Sequence, residues 1–264
     1  MTAKRLPIIG CAGAFLLGGA FLQSGVHAAE RSPITVSVVG AVEQIPATVI
    51  KLEGGGPFPA VVMMHDCSGL GPRSSGAPRR WADELVAQGY VVLIPDSFTA
   101  RGFADGVCVT AARQRSRVNG DVRAADAYGA LAALRALPYV DGKRIGIMGG
   151  SHGAWSTANT ATLGEARYTG VYQPIAPLLI LKGEKDDWTP AEPCRQLAER
   201  SRAAGHPVEI KIYSDAHHAF DNDRPLRYVA QRKNGLGATT GGNPAAWADA
   251  RQQVSAFFTR HLKP

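Results

Sequence analysis

Arg144-Ile145-Gly146-Ile147-Met148-Gly149-Gly150-Ser151-His152-Gly153 is the stretch on which the fold turns. Arg144 to Met148 reads as a short strand, and a helical pattern takes over from Ala154. Between them stands G-x-S-x-G, a serine between glycines at a strand-to-helix turn. The need for glycine there is steric: the serine occupies a tight, strained turn, and residues without Cβ let strand and helix approach. The helix N-terminus then aims unpaired backbone N–H groups at the same point, so the amide of His152 is placed to bind a developing oxyanion. Taken alone, the pentapeptide also reads as a glycine-rich turn carrying a surface serine. It does not read as a dinucleotide site, because neither G-x-G-x-x-G nor an acidic residue at the required distance is present.

Working outward, short apolar runs alternate with amphipathic segments. Strands are predicted at Ile34–Val39, Thr48–Leu52, Ala60–Met64, Tyr90–Ile94, Leu178–Leu181 and Val208–Tyr213. Helices are predicted at Trp81–Gln88, Val122–Leu137, Ala191–Ala204 and Ala245–Leu262. Apolar runs without alternation, separated by helices, indicate a mostly parallel sheet covered on both faces. Sites in such sheets lie outside the carboxyl ends of the strands, which selects the residues to examine.

A serine hydroxyl is a weak nucleophile and needs a base held by a carboxylate. After Ser151, two clusters follow strand ends. Lys185-Asp186-Asp187-Trp188-Thr189-Pro190 comes past Leu178–Leu181, and Asp215-Ala216-His217-His218-Ala219-Phe220 past Val208–Tyr213. Each offers a pair, Asp186 or Asp187 and His217 or His218. A metal site from His217, His218, Asp221 and Asp223 is the weaker alternative, because adjacent residues rarely converge on one ion. His65-Asp66-Cys67-Ser68-Gly69, at the end of another strand, offers the Cys67 amide as a second oxyanion donor. His65 reads as a buried histidine tying down that loop. The His152 side chain either lines the pocket or faces solvent. Cys67 as a rival nucleophile lacks the strained turn that Ser151 has.

The constellation resembles the dienelactone hydrolase family of the α/β-hydrolase fold. The likeness rests on Met64 to Gly69, Gly89 to Asp96, Gly149 to Gly153, Gly183-Glu184-Lys185-Asp186 and Ala216 to Phe220. It implies a mostly parallel central sheet of about eight strands with helices on both faces and no separate cap domain. It also implies Ser151 as nucleophile, Asp186 as orienting acid and His218 as base, the last because His218-Ala219-Phe220 fits the family's H-x-F. The Cys67 and His152 amides would form the oxyanion hole, and Asp187 would cap the turn or the next helix. Arg101 would pair with an acidic substrate group, as family arginines do; an exposed surface arginine is the alternative. Two departures stand out. Founding members carry a cysteine nucleophile where this chain has Ser151, and the stretch from Tyr168 to Pro177 is shorter than the family's strand and loop there. The implied reaction is hydrolysis of a carboxylic ester or lactone, with no cofactor and no metal. A serine peptidase is the alternative, since Asp141-Gly142-Lys143-Arg144-Ile145-Gly146 leading into the turn is similar to prolyl-oligopeptidase-like chains. A binding protein that retains the fold without turnover is the third.

Composition narrows the rest. The chain has 264 residues, 45% hydrophobic and 19% charged, which is globular. A formal charge of +7 is scattered rather than blocked, and aromatic content is 7%, so no nucleic-acid footprint or stacking platform is read. Residues 1–29 have the layout of an export signal: Lys4 and Arg5, an apolar run from Ile8 to Leu22, and a small-residue cleavage site at Val26-His27-Ala28-Ala29. The apolar run is too short for an ordinary membrane span. A lipid on Cys11, within Ile8-Ile9-Gly10-Cys11, is the rival reading. The expected mature protein is one domain over residues 30–264, periplasmic or secreted, without stable membrane insertion. Its three cysteines are Cys67, Cys108 and Cys194. Cys67 and Cys108 both follow strand ends and could be bridged in an oxidising compartment; three unbridged thiols is the open alternative.

Overall fold

The computed structural model describes residues 30–264 apart from 42, 109, 111, 163–171 and 231–236. The proposed leader and Cys11 therefore lie outside the described residues. Among the described residues, nine strands and six α-helices follow in the order β1 (Glu30–Ser37), β2 (Gln44–Lys51), β3 (Phe58–Met64), α1 (Ala77–Ala87), β4 (Val91–Pro95), α2 (Ala112–Arg115), α3 (Gly120–Ala136), β5 (Val140–Gly149), α4 (His152–Thr160), β6 (Leu178–Gly183), α5 (Glu192–Ala203), β7 (Val208–Tyr213), β8 (Arg227–Val229), β9 (Ala238–Thr240) and α6 (Pro244–Leu262).

The centre is a five-stranded sheet in the order β1-β2-β4-β3-β5. β3 runs parallel to β4 and β5, whereas β2 runs antiparallel to both its neighbours, β1 and β4. Successive residues of β3 serve opposite faces, as a pleated strand requires. Val61 and Met63 join one core with Trp81, Leu85 and Val86 of α1 and Val254, Phe258 and Leu262 of α6. Ala60, Val62 and Met64 join the other with Ala127, Ala130 and Leu134 of α3. Helices thus cover both faces, which is why β3 and β4 read as continuous apolar runs. Capping fixes where two of these helices begin. The Asn119 side chain accepts from the Val122 amide ahead of α3, and Asn243 accepts from the Ala246 amide ahead of α6, whose first residue is Pro244.

The expected sheet of about eight mostly parallel strands needs correction. β6 and β7 form their own two-stranded parallel sheet, and β8 and β9 a small antiparallel pair. Among the described residues no ladder joins β5 to β6. The connection between α4 and β6 is where a bridging strand would have to come from. Its shortened part, Tyr168–Pro177, falls partly outside the described residues. The rest, 172–177, contains Pro174 and Pro177, neither of which can donate to a ladder.

Cys67 and Cys108 are bridged, and Cys194 is the free thiol among the described residues. The bridge links the loop after β3 to the loop before α2, reinforced by the Val107 amide donating to the Cys67 carbonyl at 2.6 Å. It closes a separation of 41 residues, for which chain entropy gives about 4 kcal/mol as a ceiling. Cys108→Ser is expected to lower unfolding free energy by about 2–4 kcal/mol in urea titration under non-reducing conditions. An unchanged urea midpoint would show that the bridge carries no stability. No helix among the described residues is long and apolar enough to cross a membrane.

Candidate active site

Ser151 stands between the end of β5 and the first residue of α4, with φ 52°, in the region that L-residues rarely adopt. The glycines around it are required by close approach. A Cβ on Gly153 would lie 2.1 Å from the Met64 carbonyl oxygen, and one on Gly149 would lie 2.6 Å from the Gly153 carbonyl. The start of α4 is thereby pressed against the end of β3, where the other loop of the site begins.

Three elements distant in sequence meet here. Ser151 Oγ lies 3.0 Å from His218 Nε2, and His218 Nδ1 lies 2.9 Å from Asp186 Oδ2. A carboxylate only accepts, so Nδ1 carries the proton and Nε2 turns its lone pair to the serine. Asp186 comes from the turn after β6, and its Oδ1 accepts from the amides of Trp188 at 3.0 Å and Thr189 at 2.8 Å. Its Oδ2 also accepts from Lys182 Nζ and from the Thr189 hydroxyl. Burial raises the Asp186 pKa, but hydrogen bonding and charge from His218, with the Lys182 charge behind them, hold it well below the carboxylate range. His218 follows β7, and its backbone is pinned by Thr240, whose hydroxyl donates to the His218 carbonyl at 2.9 Å. The indole of Trp188 stacks on the His218 ring, 5.0 Å between centroids.

Within each sequence pair, the structure brings Asp186 and His218 together with Ser151. Asp187 is not a cap of the turn or helix: its carboxylate accepts from the Thr239 amide at 2.9 Å and ties β9 to the site. His217 takes no part in the relay, and its Nδ1 is buried without a partner among the described residues. Asp221 accepts from the Trp81 indole N–H at 2.7 Å. Among the described residues no group of three or more His, Cys, Asp or Glu side chains is placed to hold a metal.

Arg101 corrects an expectation. It is 6% exposed, and its guanidinium is bound to Asp126, Glu43 and the Ser97 carbonyl. These partners take its donors, so it holds the loop after β4 to α3 instead of facing an acidic substrate group or solvent.

Among the described residues the amides of Cys67 and His152 donate to no backbone carbonyl in the turns and loops around the site. His65 ties its loop down as read: it is fully buried, its Nδ1 donates to the Asp66 carbonyl at 2.9 Å, and its Nε2 accepts from the Ser97 amide at 3.2 Å. The His152 ring is partly buried, packed edge-on against Phe98 and Trp155. Its Nδ1 lies 2.8 Å from Arg123 Nη1. A guanidinium only donates, so Nδ1 accepts and the ring proton sits on Nε2. Burial, aided by the charges of Arg123 and Arg115, holds His152 down to about 3.

This depression has a pH consequence of definite sign. An unfolded histidine titrates near ~6.5, so below that pH the unfolded chain takes up a proton that folded His152 refuses. Stability is present above ~6.5 and is lost as pH falls toward the folded value, by up to about 1.4 kcal/mol per pH unit for one such group. His65, held low by burial and the Arg123 charge, acts in the same direction. Urea unfolding at pH 7, 6 and 5 is expected to show the decline, and His152→Phe to lessen its slope by one proton. An unaltered slope would place a protonated His152 in the fold.

Lys182, Trp188 and Arg123 were not singled out from sequence. The first had a signal: a lysine directly after the apolar run Leu178-Leu179-Ile180-Leu181, still within β6. Arg123 had one too, since it shares helical spacing with the buried Ala127, Ala130 and Leu134. Trp188 carried none.

A mixed α/β sheet with helices on both faces and a serine–histidine–aspartate arrangement at the strand ends define an α/β-hydrolase-type protein. The model of the dienelactone hydrolase family matches residues 45–262, and the chain belongs to that family. A Yersinia pestis protein named "Putative carboxymethylenebutenolidase" is 25% identical over 271 residues, covering 90% of each chain. Among solved structures, a dienelactone hydrolase-like promiscuous phosphotriesterase from metagenomic libraries superposes with TM-score 0.64 at 18% identity, over 88% of this chain and 98% of that one. An acylaminoacyl peptidase of Pyrococcus horikoshii gives 0.63 at 16% identity, over 89% of this chain but 42% of that one. At such identities these two likenesses speak for the fold.

Proposed function

We propose that this hydrolase cleaves a carboxylic ester or lactone through an acyl-enzyme on Ser151. The observation that carries the reading is the unbroken relay from Ser151 Oγ through His218 to Asp186. In the first half-reaction Oγ attacks the carbonyl carbon while Nε2 takes its proton. The tetrahedral oxyanion is held by the amides of Cys67 and His152, the latter at the N-terminal end of α4. Collapse breaks the bond to the alkoxide, which leaves with the proton from Nε2. Water, deprotonated by the same nitrogen, then attacks the acyl carbon and frees Ser151. Asp186 keeps Nδ1 protonated and offsets the imidazolium charge. The reading calls on no metal and no organic cofactor.

The compartment belongs to the same proposal. Residues 1–29 serve as an export signal, and the Cys67–Cys108 bridge suits an oxidising periplasmic or extracellular location. The peptidase-like neighbours keep a second reading in view, but they share only the fold and span far more chain.

A panel of small esters, lactones and aminoacyl anilides tests the substrate class. Ester or lactone turnover, abolished by a fluorophosphonate that labels Ser151, is the expected outcome. Anilide cleavage without ester cleavage would give the peptidase reading.

A further inference from the structure

We infer that Arg123 is a positioning residue that sets the spacing of the two loops whose amides receive the oxyanion. This inference rests on the serine-hydrolase reading above. Arg123 lies on α3, outside both loops, and is fully buried. One arm of its guanidinium, Nη2, donates to the His65 carbonyl at 2.7 Å. The other, Nη1, donates to His152 Nδ1 at 2.8 Å. His65 is two residues ahead of Cys67, and His152 is the residue after Ser151. A single rigid, planar fork therefore spans the two places from which the oxyanion donors come. Phe98 packs against the guanidinium, 5.0 Å from its ring centroid, and closes the third side.

Stability alone does not account for this side chain. Among the described residues no carboxylate pairs with it directly, and its Nε has no hydrogen-bond partner. Asp126 and Asp66 act on it only through space, and burial lowers it to about 10, so it remains charged at neutral pH. A buried charge held this way costs folding free energy that an apolar residue of similar length would not. What the guanidinium supplies, and a methionine cannot, is two donors at a fixed angle. The same contact holds His152 in its Nε2–H form, so the ring beside the nucleophile keeps one orientation.

Displacement of an oxyanion donor by about 1 Å is expected to cost about 10²-fold in rate. Arg123→Met is therefore expected to lower kcat on a carboxylic ester by about 10²-fold, with KM within about 3-fold. A matched thionoester, whose sulfur accepts hydrogen bonds poorly, should lose far less. The ester-to-thionoester rate ratio then collapses, which a merely structural role would not produce. Guanidinium chloride below denaturing concentrations should restore part of the kcat of Arg123→Ala and leave Ser151→Ala inert. If Arg123→Met folds poorly, His152→Phe severs one arm alone. It should lower the same ratio, and the double variant should be no worse than Arg123→Met. An unchanged ratio in both single variants would overturn the inference while leaving the function intact. Turnover by Ser151→Ala at the wild-type rate would instead remove the reading beneath it.

Discussion

Ser151→Ala is expected to lower kcat/KM toward p-nitrophenyl acetate by about 10⁴-fold or more. The size follows from what the oxygen does. Without Oγ no acyl-enzyme forms, and only binding and oxyanion stabilisation remain to assist attack by water. The backbone adds a second, opposite expectation. Ser151 sits at φ 52°, so it stores conformational strain that serves the site and not the fold. Ser151→Gly should be equally inactive yet more stable than Ser151→Ala, by about 1 kcal/mol, read in urea. Activity and stability moving apart in this way would mark the turn as built for chemistry. Equal rates for wild type and Ser151→Ala would remove the serine from the mechanism.

Asp186→Asn is expected to cost about 10⁴-fold in kcat, although the two side chains have nearly the same shape. The amide can turn its nitrogen toward His218 Nδ1, and the imidazole proton then moves to Nε2, facing Ser151. The base is lost while the geometry stands. Lys182 makes the substitution costly for folding as well. Its ammonium is nearly enclosed and pairs with Asp186 Oδ2, so neutralising the acid leaves a cation without its counter-charge. Asp186→Asn should therefore unfold at lower urea than Ser151→Ala, and the two effects can be read separately. Asp187→Asn is the control, since Asp187 accepts from the β9 backbone whereas His218 Nδ1 is held by Asp186. A loss in Asp187→Asn with little change in Asp186→Asn would reverse the assignment.

Much of this was legible in the chain before any coordinates. The strands at 60–64 and 90–94 announce themselves because both faces of the sheet are buried, leaving no polar alternation to confuse the pattern. The order serine, aspartate, histidine was legible for a related reason: each follows a strand's carboxyl end, where such sheets open to ligand. The choice of His218 over His217 rested on family likeness, and only the fold supplies its physical cause. Thr240 grips the His218 carbonyl, and Asp186 receives Nδ1. The short strands β8 and β9 escaped notice because three residues each carry too little periodicity. Arg101 misled for a different reason. Its partners Glu43 and Asp126 are 58 and 25 residues away, and no local pattern shows a charge spent at that range. The absence of a β5–β6 ladder among the described residues is likewise a matter of pairing, which periodicity alone does not show.

Mass spectrometry of the enzyme quenched during turnover of p-nitrophenyl acetate tests the account at its centre. One acetyl group on the peptide that contains Ser151, formed in wild type and absent from Ser151→Ala, is the predicted result. Steady turnover with no acyl group on Ser151, or with the group on Cys194, would contradict it.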